Sequence, residues 1–149
     1  MWLEDGPRRG RIEAAARRAY PNLTYTRRRR ADHYVSVYRT LVDVPGYEER
    51  EVTIEFDHRY STTPKIFADG PSDPSASPHR YPDRGRTHLC IWYPHDPSPR
   101  TWVLEDGLLA LFGMAAEHLF KEAWWREHDH QWLGEEYPHG ELSHEKETG

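Results

Sequence analysis

The apolar positions near the N-terminus repeat with the period of an α-helix. Residues 10–23 predict a helix that ends at Pro21 and Asn22, because proline and asparagine interrupt helices and favour turns. The positions expected to face the protein interior are Ile12, Ala15, Ala16 and Ala19. Residues 1–9 add no clear periodicity of their own.

The middle of the chain has the composition of β-strands. Residues 32–44 are rich in β-branched and aromatic side chains, and residues 50–57 alternate between apolar and polar positions, as a half-buried strand does. A short third strand is expected within residues 63–71. The stretch 70–101 is rich in proline and glycine and predicts a long loop, which the apolar run 88–93 holds against the core.

A second helix is predicted over residues 104–128. Its wide apolar stripe consists of Leu108, Leu109, Phe112, Ala115, Ala116, Leu119, Phe120 and Ala123. Glu105 and Asp106 are expected in its first turn, where the helix dipole favours acidic groups. The order helix, antiparallel meander, long loop and helix predicts an α+β fold with helices packed against one sheet.

Composition narrows the class of protein. A chain of 149 residues is expected to form a single domain, 1–149, with a packed part of about 10–140 and flexible ends. Charged residues make up 30% of the chain, no apolar stretch reaches the length of a membrane span, and the N-terminus lacks a signal-peptide core. We therefore expect a cytoplasmic protein without a membrane partner.

The net charge of −5 hides a cluster of arginines in the first thirty residues. Such a cluster is either a solvated face or a docking surface for an acidic partner protein, and Arg17 and Arg18 on the first helix are the candidates for partner binding. Nucleic acid is disfavoured as a partner, because no aromatic residue interrupts Arg27–Arg30 to stack on bases.

The chain contains one cysteine, Cys90, so an internal disulfide and a paired-cysteine metal site are both excluded. Cys90 is either a small buried apolar residue or a single-thiol nucleophile. His118 and Glu122 lie one helical turn apart, with His128 and His130 following, but the HExxH spacing of a zinc site is absent. No nucleotide-binding glycine motif occurs, and we expect neither a metal nor another cofactor.

The segment "FDHRYSTTPKIFADGPSDPSASPHRYPDRGRTHLCIWYP" resembles the core of ubiquitin-conjugating (E2) enzymes. Phe56, Tyr60, Pro64, Lys65, Ile66 and Phe67 match the strand of that family; His79, Tyr81, Gly85 and Cys90 match its turn and nucleophile. Trp102 and the helix after it match the tryptophan and helix that follow the cysteine. The likeness is greater to bacterial E2-like proteins, which accompany ubiquitin-like conjugation and antiphage signalling operons, including those built around cyclic-nucleotide synthases.

The resemblance implies an E2-like fold in which Cys90 accepts a protein C-terminus as a thioester and transfers it to an acceptor. It implies as partners a ubiquitin-like protein or a cyclic-nucleotide synthase, with an E1-like activator as a further candidate. His79 and His88 are the accompanying catalytic candidates; for His79 the alternative is bracing the turn, and for His88 it is simple surface exposure. Tyr81, Asp83, Asp96 and His139 are candidates for support.

One departure from the family pattern concerns the oxyanion donor. The His-Pro-Asn turn of eukaryotic E2 enzymes is replaced by His79, Arg80 and Tyr81. The candidate donors are the backbone N–H groups near Cys90 and the side chains of His88 and His139. Two other functions stay open: a non-catalytic E2-like scaffold with a structural Cys90, and an RNA-binding module based on Arg27–Arg30.

Overall fold

The computed structural model describes residues 1–68, 80–83, 86–89 and 102–132. Two α-helices frame this part of the chain, α1 at Gly6–Ala19 and α2 at Gly107–Glu127. Three short 3₁₀ helices accompany them, at Trp2–Glu4, His58–Tyr60 and Leu104–Asp106. None of the helices in the described ranges has both the length and the apolar character needed to cross a membrane.

Six antiparallel strands form one sheet in the order β1-β2-β3-β4-β6-β5. The strands are β1 Thr24–Arg30, β2 His33–Val42, β3 Arg50–Asp57, β4 Lys65–Ala68, β5 Arg80–Asp83 and β6 Arg86–Leu89. The predicted α+β class and the antiparallel meander of β2, β3 and β4 are confirmed. The prediction for residues 70–101 was wrong in part, because residues 80–89 include the β5–β6 hairpin rather than loop alone.

The core lies between one face of the sheet and the two helices. Its sheet side includes Tyr38, Val42, Val52, Ile54, Phe56, Ile66 and Leu89, and its helix side includes Ala16, Leu108, Leu111, Phe112, Ala115 and Leu119. Trp2 and Leu3 are also buried in it, so packing begins before residue 10. The indole Nε1 of Trp2 donates to the Ser61 carbonyl at 2.9 Å, which ties the N-terminus to the end of the 3₁₀ helix His58–Tyr60.

Helix α1 begins at Gly6, four residues before its predicted start, and differs from the prediction at two positions of its inner face. Ala19 is exposed, whereas Glu13, which the apolar pattern left outside the core, is buried. The Tyr38 hydroxyl donates to Glu13 Oε2 at 2.5 Å, and Arg9 and Arg17 lie 3.4 and 3.1 Å from the same carboxylate. Burial first, and then the bond to Glu13, raise the pKa of Tyr38. The pair joins α1 to the sheet through a satisfied polar contact.

The predicted apolar stripe of α2 is confirmed in part: Leu108, Phe112, Ala115, Leu119 and Ala123 are buried, whereas Leu109, Ala116 and Phe120 are only partly buried. The prediction missed three buried residues, namely Leu111, His118 and Glu122. Glu105 and Asp106 lie in the preceding 3₁₀ helix rather than in the first turn of α2. The Asp106 carboxylate accepts from the Val103 backbone N–H at 3.0 Å, and Gly107 turns the chain into α2 with a positive φ of 80°. These acids therefore shape the entry to the helix.

The outer face of the sheet carries a cluster of charges centred on Glu55. Its side chain is only 5% exposed, and the guanidiniums of Arg28, Arg30 and Arg86 lie 3.8, 3.4 and 3.1 Å from it. Arg28 stands opposite Val35 in the register, so its side chain must cross β2 to reach Glu55 on β3. The stems of such long side chains cover apolar surface while their charged ends stay hydrated. Part of the arginine run is thus structural.

Candidate active site

Strand β6 carries the residues that lead to the lone thiol. Leu89 is buried in the core, and His88, on the opposite face, stands beside Phe67 of β4, with ring centroids 6.2 Å apart. The residue before Cys90 is therefore anchored in the core. Cys90, His79, Asp96 and His139 lie outside the described residues, as does the side chain of Tyr81.

His88 and Asp83, both predicted from the sequence, are brought together in the hairpin. The Asp83 carboxylate accepts from Lys65 Nζ at 2.8 Å. Burial acts to raise the pKa of Asp83, but the bond to Lys65 and the charges of Lys65, His88 and Arg86 outweigh burial and lower it. The Asp83–Lys65 ion pair beside His88 is thus formed at neutral pH.

The environment of His88 favours the neutral imidazole. Burial is the main cause that lowers its pKa and the charge of Lys65 adds to it, while the charge of Asp83 and a hydrogen bond with the Leu89 backbone act in the opposite direction. The ordinary value is about 6.5, so a lowered pKa leaves the ring uncharged at pH 7. A neutral imidazole has one N–H to donate and one nitrogen that can accept a proton, and either property can serve acyl-transfer chemistry.

A buried ion pair fastens this hairpin to α2. The Arg80 guanidinium donates to both carboxylate oxygens of Glu122 at 2.8 Å, and both side chains are fully buried. Arg80 Nη1 also reaches the Thr87 hydroxyl at 3.4 Å, across the hairpin. Arg126, one turn along α2, adds a contact to Glu122 at 3.2 Å. Sequence patterns did not identify this pair, because a charged residue is expected at the surface unless its buried partner is known.

A serine and a histidine in the core also approach each other closely. Ser36 Oγ lies 2.7 Å from His58 Nε2, and Glu4 lies 3.6 Å from His58 Nδ1. The arrangement has the order of a nucleophile, base and acid, but Ser36 is fully buried and its hydroxyl also contacts Tyr25 at 2.9 Å. A substrate carbonyl cannot reach it in this structure. These polar contacts connect β1, β2 and the 3₁₀ helix His58–Tyr60 to the N-terminal segment.

The tryptophans before and within α2, and the two histidines that follow it, have packing roles. Trp102 is buried and donates to the Gly107 carbonyl at 2.8 Å. Trp124 stacks on His128 with centroids 3.6 Å apart, and Trp125 stacks on His130 at 4.2 Å. Across the ranges that the structure describes, no group of three potential ligands is placed to hold a metal ion.

Two open cavities lie apart from His88. One, of ≈430 Å³, is lined by residues that include Tyr20, Arg39 and Glu51, and the other, of ≈390 Å³, by residues that include Val44 and Leu119. Neither is lined by His88 or Asp83. The hairpin therefore remains the candidate site on the strength of its own side chains and its position before Cys90.

Comparison with protein-family models, with curated proteins and with solved structures finds no match to this chain. The functional argument consequently depends on the residues themselves and on the motif order of residues 56–94.

Proposed function

We propose that the protein is an E2-like conjugating enzyme in which Cys90 carries an acyl group as a thioester. The Cys90 thiolate attacks the activated carbonyl carbon at the C-terminus of a substrate protein, a carbon–sulfur bond forms, and the previous leaving group departs with its electron pair. An acceptor amine then attacks the thioester carbonyl, an amide forms, and the Cys90 thiolate is released. Bacterial antiviral defence is the setting that the family resemblance favours.

The observation that carries the proposal is the β5–β6 hairpin. It coincides with the segment that matches the turn before the cysteine of E2 enzymes. Its last residue, Leu89, is buried and directly precedes Cys90 in the sequence. A helix, an antiparallel meander, this hairpin and α2 follow one another in the order expected for an E2-like fold. These features support the proposal. The reaction does not require a dedicated general base, because a thiol with a pKa of about 8.5 is already partly ionised at neutral pH.

We assign to His88 the role of holding the thioester carbonyl through its N–H. His88→Ala is expected to slow discharge of the Cys90 thioester by about 100- to 1,000-fold, the usual cost of losing one oxyanion donor, whereas His88→Gln, which keeps an N–H, loses less. The measurement is single-turnover discharge from pH 5.5 to 8.5. The ratio of variant to wild-type rates at each pH removes the ionisation of the acceptor from the comparison.

A general-base role for His88 predicts a different pattern. Glutamine cannot take up a proton, so His88→Gln would then lose as much activity as His88→Ala. The wild-type rate would also decrease as the pH is lowered past the pKa of His88, which is itself below the ordinary value. Equal discharge by all three proteins would mean that His88 takes no part in the reaction. The donor would then be a backbone N–H or His139.

Partner docking is assigned to Arg17 and Arg18 of α1, both of which are exposed. Arg17→Glu combined with Arg18→Glu is expected to slow transfer from the partner, since complementary charge mainly sets the rate of encounter. Alkylation of Cys90 by iodoacetamide should be unchanged. Arg17 also contacts Glu13 at 3.1 Å, whereas Arg18 has no ion pair within the described residues, so Arg18→Glu alone separates docking from helix stability. Unchanged transfer at low salt would show that these arginines form a solvated face.

The alternative function is a non-catalytic E2-like scaffold that binds a ubiquitin-like partner and keeps Cys90 for packing. Both functions predict complex formation, but they differ in the bond that results. A scaffold gives a non-covalent complex that survives thiol reagents, whereas the enzyme gives an adduct that a thiol removes.

A further inference from the structure

Strand β1 ends the described sheet with one of its two sides unpaired. All seven of its residues are in register with β2, and β1 is the first strand in the sheet order. Apart from the strand ladder, no backbone hydrogen bond between described residues involves 24–30. Within the described part of the chain, its outer side presents a row of unpaired N–H and C=O groups, which is a template for another strand.

The same strand concentrates positive charge. Arg28 and Arg30 share Glu55 with Arg86, so three guanidiniums surround one carboxylate. Arg27 and Arg29 have no carboxylate partner among the described residues: Arg27 lies over the ring of Tyr34 at 4.5 Å, and Arg29 donates to the Ala31 carbonyl at 3.2 Å. Although the whole chain carries a net charge of −5, the β1 edge thus carries a local excess of positive charge.

Charge and edge geometry together select the kind of strand that can bind. A second copy of the protein would bring two runs of arginine side by side, and like charges directly opposite destabilise strand pairing. Charged edge strands commonly prevent self-association in this way. A strand that carries carboxylates avoids the repulsion and gains bidentate guanidinium–carboxylate bonds on both faces of β1.

We propose that the free edge of β1 binds an extended segment of a partner protein rich in glutamate or aspartate, which pairs as an added strand. Main-chain hydrogen bonds supply affinity, and alternate carboxylates supply specificity. A single-stranded nucleic acid offers no comparable N–H and C=O ladder, and the Arg27 guanidinium already covers one face of the Tyr34 ring. The proposal does not depend on the chemistry of Cys90.

The probe is a synthetic peptide of alternating glutamate and threonine, as long as β1. We expect it to bind the full-length protein at low salt and to slow hydrogen exchange of the amides in residues 24–30. Arg27→Glu with Arg29→Glu should weaken binding about tenfold or more, because both arginines lack a carboxylate partner. Arg8→Glu with Arg11→Glu is the matched control, since it makes the same charge change on the exposed side of α1 and should leave binding unchanged.

Two further reagents decide between strand addition and charge attraction alone. The same peptide with methyl groups on alternate amide nitrogens keeps its charges but cannot complete a ladder, and it should bind at least about tenfold more weakly. Equal binding of the methylated peptide, or binding without protection of residues 24–30, would overturn the proposal. So would displacement of the peptide by a single-stranded oligonucleotide of equal charge at lower concentration, which would identify β1 as a nucleic-acid surface.

Discussion

Arg80→Met is expected to lower the free energy of unfolding by about 3 to 5 kcal/mol at neutral pH, the usual cost of removing one partner from a buried ion pair. Glu122 is fully buried, and Arg126, at 3.2 Å, is the remaining cation within reach among the described residues. Denaturant unfolding at pH 7 measures the loss. Because the Glu122 carboxylate can take up a proton once Arg80 is replaced, the loss should shrink as the pH is lowered.

Two further variants separate the ion pair from simple loss of contacts. Arg80→Met with Glu122→Met removes both charges and should recover most of the stability, since an apolar pair of similar size replaces a buried ion pair at little cost. Lys65→Met breaks the Asp83 ion pair, whose lysine is 55% exposed, and should cost less than about 1 kcal/mol. Two results would contradict a stabilising role for the Arg80–Glu122 ion pair. One is an equal loss of unfolding free energy for Arg80→Met and Lys65→Met; the other is a double variant that is less stable than either of its single variants.

Cys90→Ala is expected to abolish the thioester adduct of the proposed function, because the sequence contains no other cysteine. The fold is expected to survive, with a midpoint of unfolding near that of the wild type. Cys90→Ser is the informative companion, since its hydroxyl can retain the acyl group as an oxyester that thiols do not remove. If Cys90→Ala instead loses about 1 to 3 kcal/mol or more, as an emptied core position does, Cys90 is a packing residue.

The elements that the sequence predicted are those with strong local patterns. Strands β2 and β3 alternate apolar and polar residues, and α2 has a wide apolar stripe; local chemistry is enough to define them. Strand β1 was missed because its four consecutive arginines show no alternation. It forms through its register with β2 and the bonds of Arg28 and Arg30 to Glu55, contacts that become visible only when the sheet is assembled.

The candidate site was predictable to a similar extent. Family resemblance and the lone thiol indicated Cys90, His88 and Asp83, and the last two do lie together in the hairpin. The bond between Arg80 and Glu122 joins residues 42 positions apart, so neither position showed its role in isolation. Long-range polar contacts of this kind depend on the whole fold, and sequence periodicity does not encode them.

The most direct test of the central claim is the intact mass of the wild-type protein after incubation with ATP and the proteins encoded beside it in its genome. The proposed function predicts a new mass equal to this chain plus one of those proteins, less one water. The adduct should disappear on treatment with excess thiol and should be absent with Cys90→Ala. A complex that shows no added mass under denaturing conditions, or an adduct that persists with Cys90→Ala, would contradict the assignment of Cys90 as the acyl carrier.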